Sequence, residues 1–194
     1  MYELPTEIIV KGIPYQIRNR EDYRMILDVF SVLEDDELEQ NERVISALMI
    51  FYENFNELED VLACGDDLEE LVKQMYDFFN GDKVKANEVK KARKLLDWEG
   101  DSALISAAIN HVSGKEIRSE PYIHWWTFLS YYMSVGESVL STVISIRDKI
   151  ANGKKLEKWE QDYKRDNPQY FRWKYKTVDE IDAENWLKSV WNKE

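Results

Sequence analysis

The residues that could do chemistry are few. The 194-residue chain has two histidines, His111 and His124, and one cysteine, Cys64. A zinc site draws on several thiolates and imidazoles, and two histidines thirteen positions apart with a lone cysteine do not supply that framework. His124 is the more suggestive of the two, because Trp125 and Trp126 follow it and Glu120 precedes it by one helical turn. A catalytic base needs an orienting partner and a substrate pocket. The simpler role is a histidine at a helix start, held by Glu120. Cys64 sits among Asp60, Asp66 and Asp67, a setting that raises a thiol pKa rather than producing a reactive thiolate. Asp97-Trp98-Glu99-Gly100-Asp101 has the look of a calcium loop, but Ser102 and Ala108 occupy the positions where an EF-hand needs Gly and Glu. Its carboxylates suit a helix N-terminus instead. Phosphate-binding glycine loops and nucleophile elbows are absent. The expectation is no catalytic residue, no metal, no cofactor and no enzymatic activity.

The elements that would position these residues are mostly helices. Glu7–Val10 and Ile13–Arg18 flank Lys11-Gly12, a β-hairpin across residues 6–18 with Pro14 marking an edge. Asp22 is placed to cap a helix bearing Tyr23, Ile26, Leu27, Phe30 and Leu33, and Asn41 a second bearing Val44, Ile45, Leu48, Met49 and Tyr52. A short helix carries Leu58, Val61 and Leu62. Asp66 then caps one with Leu68, Leu71, Val72, Met75, Tyr76 and Phe79, stopped by Asn80-Gly81. The lysine-rich bridge from Asp82 to Leu96 reads as a loop or an exposed helix. Asp101 caps a helix through Leu104, Ile105, Ala108, Ile109 and Val112.

Pro121 then opens the central helix, residues 121–134, in which Trp125, Phe128, Leu129 and Tyr132 fall at helical spacing and Ile123, Trp126 and Met133 cover an adjoining face. Such an apolar girdle belongs to a buried helix. Val139 to Arg147 form the next, ending at Asn152-Gly153. Residues 1–153 thus make a main domain, and 154–194 a charged, aromatic extension whose terminal helix, 178–192, starts at the capping box Thr177–Glu180. The fold class is mainly α: a multi-helix domain with the hairpin packed on its side.

Net charge is −12, and between Asp28 and Glu70 fifteen acidic residues face one basic residue, Arg43. Such a chain repels nucleic acid and favours basic partners. A stacking platform for single strands in Lys154–Lys176 is opposed by interleaved Glu157, Glu160, Asp162 and Asp166. No run is long and apolar enough to span a membrane, and the N-terminus lacks a signal peptide's pattern. The terminal face Trp186, Leu187, Val190 and Trp191, with Trp173 before it, is the candidate partner-binding surface, since tryptophan is enriched where binding energy concentrates. Packing on the chain's own core is its other reading.

The chain resembles the bacteriophage gene-product-fifteen family of tailed phages and prophages of Gram-positive bacteria. The likeness runs over about residues 4 to 150 and is carried by Leu4-Pro5-Thr6, Gly12 and Tyr15-Gln16-Ile17, then Asp97–Asp101 with Ile105–Ala108, then His124-Trp125-Trp126-Thr127-Phe128 and Val143–Arg147. The chain departs from the pattern after Gly153. The resemblance marks His124, Trp125, Trp126, Phe128, Asp97, Asp101 and Arg147 as signature residues, here assigned to the core. It implies a non-catalytic tail assembly chaperone in the host bacterial cytoplasm, binding the tape-measure protein, the tail-tube protein or both. It leaves room for a homo-oligomer or a shorter companion chaperone. The alternatives are a minor structural or adaptor protein of the tail, and a nucleic-acid-binding phage accessory protein.

Overall fold

The computed structural model describes residues 3–81 and 95–172. Among them are β1 (Glu7–Val10), β2 (Ile13–Gln16), α1 (Tyr23–Leu33), α2 (Gln40–Phe51), α3 (Leu58–Leu62), α4 (Leu68–Phe79), α5 (Ser102–Ser113), α6 (Trp125–Met133), α7 (Val139–Ala151) and α8 (Lys158–Asp166). The two strands form one antiparallel sheet, so the protein is mainly α with an N-terminal hairpin. Two units emerge, Met1–Lys90 with Ile109–Ser134, and Lys91–Ala108 with Val135–Glu194. The limit drawn from sequence at residue 153 falls inside the second unit. The proposed terminal helix and most of the lysine-rich bridge lie outside the described residues.

In the first unit, Lys11 and Gly12 both take positive φ, 50° and 83°. This is the mirror-image turn that fits the twist of a two-residue hairpin loop. The register pairs Ile8 with Tyr15 and Val10 with Ile13. Ile8, Val10 and Tyr15 are buried, and Tyr15 meets Tyr52 edge-on at 5.7 Å and Phe55 at 5.9 Å. The hairpin therefore rests on the helices, as a lone two-stranded ribbon must. Asp22 caps α1 by accepting the Arg24 N–H at 3.0 Å, and α1 buries Met25, Ile26 and Val29. α2 opens at Gln40, one residue ahead of the Asn41 cap read from sequence, because Glu39 and Glu42 form a reciprocal capping box. α4 opens at Leu68 rather than after Asp66, since a 3-10 turn at Gly65–Asp67 uses up the intervening residues.

The central helix is shorter than 121–134. Pro121 to Ile123 are not helical, and α6 starts at Trp125 with His124 as its cap. The reason is non-local: the Ile123 carbonyl accepts the Tyr23 N–H at 3.0 Å, and the Ile123 N–H donates to Asp22 Oδ2 at 3.0 Å. Asp22 and His124 form an isolated antiparallel bridge. Backbone committed to that bridge cannot join a helix.

In the second unit, Ser138 and Ser141 form the capping box that opens α7, which buries Leu140, Val143, Ile146 and Arg147. Residues 154–172 add further elements to this unit. α8 opens on a Glu157–Glu160 capping box, and the buried Glu160 carboxylate accepts from Lys149 Nζ at 2.6 Å. A 3-10 turn, Pro168–Phe171, follows.

Candidate functional site

The signature residues gather into two centres, one in each unit. In the first, Trp125 is 1% exposed and its indole N–H donates to the Phe79 carbonyl at 3.0 Å. The Trp126 indole N–H donates to the neighbouring Phe78 carbonyl at 2.9 Å. Both carbonyls belong to the last turn of α4, where no helical N–H follows four residues on. Adjacent tryptophans thus close the C-terminal end of another helix, with the Trp125 ring buried and the Trp126 ring half-buried. Phe128 stacks on Tyr23 at 4.4 Å and 5°, and Phe30 meets Trp125 edge-on at 5.6 Å.

His124 supplies the junction beneath them. Its Nδ1 accepts the Trp126 N–H at 3.0 Å, which caps α6. Nε2 lies 3.1 Å from the Pro5 carbonyl, an oxygen that can only accept, so Nε2 carries the proton. The i,i+4 bond to Glu120 expected from sequence is not made. Glu120 instead pairs with Lys115 at 3.2 Å, and its carbonyl accepts from Arg24. Burial pushes the His124 pKa below its ordinary value, partly offset by the Pro5 bond. With the ring 2% exposed and both nitrogens engaged, the geometry makes His124 a tie between the N-terminal segment and α6.

The second centre is a buried ion pair. Arg147 Nη1 and Nη2 donate to the two carboxylate oxygens of Asp101 at 2.5 and 2.8 Å, with side chains 7% and 4% exposed. Arg147 also donates to the Leu95 carbonyl at 3.1 Å and, through Nε and Nη2, to the Tyr170 carbonyl at 2.9 and 2.6 Å. One guanidinium therefore holds the entry to α5 and the turn after α8. Only arginine offers that planar fork of donors. Asp101 was expected to cap α5 with its side chain. Its backbone does open the helix, through the Ile105 N–H, but its carboxylate is turned to Arg147 and the Asp97 N–H. Asp97 Oδ1 accepts the Glu99 and Gly100 N–H groups. A Cβ on Gly100 would lie 2.7 Å from Asp97 Oδ2, so any other residue there displaces the Asp97 carboxylate.

Cys64 is half-buried and unpaired; burial pushes its thiol pKa up, with Asp67 and Asp60 adding to the effect. His111 is exposed near the end of α5. Among the described residues no three His, Cys, Asp or Glu side chains converge as metal ligands, and no helix is long and apolar enough to cross a membrane. Trp173, Trp186, Leu187, Val190 and Trp191 lie outside the described residues.

An apolar surface is exposed on α3. Of the three apolar residues this short helix carries, only Val61 is buried. Leu58 is 45% and Leu62 60% exposed, four residues apart and amid exposed Glu57, Glu59 and Asp60.

A family model described as Bacteriophage Gp15 protein matches residues 2–171. The match takes in α8 and the Pro168–Phe171 turn, so the expected departure after Gly153 is corrected; the Arg147–Tyr170 contact ties that stretch to the signature. No curated protein and no solved structure matches the chain.

Proposed function

We propose, from the premise that the chain belongs to the bacteriophage Gp15 protein family, that it is a non-catalytic tail assembly chaperone acting in the host bacterial cytoplasm. Its clients on this reading are the tape-measure protein and tail-tube subunits. The observation that carries the proposal is the pair Leu58 and Leu62, exposed on α3 within the stretch of fifteen acidic residues. A chaperone needs apolar contacts weak enough to be released. It also needs enough like charge to keep an aggregation-prone complex in solution. The signature residues support the same reading from the other side, since each is engaged in holding the fold rather than turned toward a substrate.

Quantitative mass spectrometry of purified virions tests this against a structural role. The chaperone is expected in the infected-cell lysate and not in the particle. Its presence in virions at stoichiometric copy number would overturn the proposal.

A further inference from the structure

We infer that the protein self-associates through the outer edge of β1, two copies pairing antiparallel to extend each hairpin into one four-stranded sheet. The inference is independent of what client the protein holds.

It starts from the hydrogen-bond parity of the hairpin. The Gln16 N–H donates to Asn54 Oδ1 at 3.1 Å and its carbonyl accepts the Glu53 N–H at 2.9 Å, so Gln16 turns its backbone away from β1. The Ile17 N–H donates to the Thr6 carbonyl at 3.3 Å, one step along. Antiparallel ladders alternate between bonded and non-bonded pairs. Glu7, opposite Gln16, and Ile9, opposite Pro14, are therefore non-bonded positions whose N–H and C=O groups point outward from the hairpin. Pro14 fits the same parity, because that position needs no donor toward β1.

The two edges differ in how they are finished. On β2, residues 53 and 54 cover Gln16, and Pro14 has no N–H to offer. On β1, no group among the described residues bonds the backbone of Glu7 or Ile9. Open edges are usually blunted by proline, inward charge or a bulge. β1 is short and carries Glu7, but it has no proline or bulge within Glu-Ile-Ile-Val, and Ile9 is 62% exposed.

The sequence of the edge selects a second copy as occupant. A two-fold axis at Ile9 sets Ile9 against Ile9 of the other copy in a bonded pair. It also sets each Glu7 beside the turn of the other copy, where Lys11 stands. Opposite charges brought together in this way attract. Moving the axis to Ile8 would set Glu7 against Ile9 and lose that match. Both side chains are exposed. Glu7 now accepts from Gln16 Nε2 at 2.6 Å, and Lys11 pairs with Asp67; a carboxylate and an ammonium each have further bonding capacity.

Sedimentation velocity of the full chain across a concentration series tests this. A concentration-dependent monomer–dimer equilibrium is expected. Ile9→Pro removes the outward N–H at a position whose parity, like that of Pro14, needs no donor within the hairpin. It should give a monomer with an unchanged far-UV circular dichroism spectrum. Ile9→Lys should do the same if the proline perturbs folding. Glu7→Lys and Lys11→Glu should each weaken the dimer severalfold, and the double variant should recover it. A monomer at every concentration, or a dimer that both Ile9 variants leave intact, overturns the proposal. Failure of the double variant to recover a dimer that both single variants weaken rejects the pairing about Ile9.

Discussion

Trp125 and His124 do different work at adjacent positions. Trp125 fills the space between α1, α4 and α6 and closes a carbonyl of α4, so Trp125→Ala is expected to cost about 3–5 kcal/mol, as buried aromatic truncations do. Urea denaturation measures it, and an unchanged midpoint would remove Trp125 from the core. His124 instead makes stability depend on pH. Its Nδ1 accepts a hydrogen bond in the folded state and its folded pKa lies below the ordinary value. The unfolded chain therefore binds the proton more readily. The contribution of His124 is complete above the unfolded imidazole value of about 6.5 and is lost as pH falls through the lower folded value. Denaturation midpoints taken between about pH 8 and pH 5 should fall with acidity, and His124→Asn, which keeps a capping oxygen, should flatten the slope. Equal slopes would show that the ring does not titrate with unfolding. Trp125 was legible as core from its helical spacing, whereas Trp126 is half-buried and Met133, read on the same adjoining face, is exposed. The carbonyl partners of the two tryptophans on α4 were not legible, because a contact between positions 78 and 126 leaves no mark in local periodicity.

The helices held by local patterns were read closely from sequence. α1, α4 and α7 each combine a regular apolar face with a recognisable start or stop, and their limits came within a residue or two. α6 and α8 depended on distant partners. Pro121 suggested a helix start, but the Asp22–His124 bridge takes the backbone out of that helix. The aromatic residues of α8 are an exposed Trp159 and a half-buried Tyr163, and the Lys149–Glu160 and Arg147–Tyr170 contacts hold its surroundings in place. Arg147 is accordingly the residue on which the second unit turns. Arg147→Met leaves Asp101 charged and buried, which typically costs about 3–5 kcal/mol. Asp101→Leu combined with it should cost less than the sum of the two single changes, and a double-mutant cycle measures the difference. Strict additivity would mean the pair is not coupled. Gly100→Ala should destabilise the same unit by displacing the Asp97 carboxylate, readable as a lowered melting temperature; an unchanged one would show that the loop adapts.

At the scale of the whole molecule, the acidic stretch is the property most directly tied to the proposed role. The net charge of −12 was plain in the sequence, but the exposure of Leu58 and Leu62 was not, since apolar spacing on a short helix reads the same whether it faces inward or out. Replacing both by serine should change stability by no more than about 0.5 kcal/mol each, as for other exposed positions. It should reduce recovery of the tape-measure protein in a pull-down. Full recovery would place the client elsewhere, and the terminal face around Trp186 and Trp191 would be the next surface to alter.

The most direct test of chaperone function is to express the tape-measure protein of the same phage with and without this chain and measure its soluble fraction. The tape-measure protein is expected to be largely insoluble alone, and with this chain to become soluble and co-purify with it. An unchanged soluble fraction with no co-purification would contradict it.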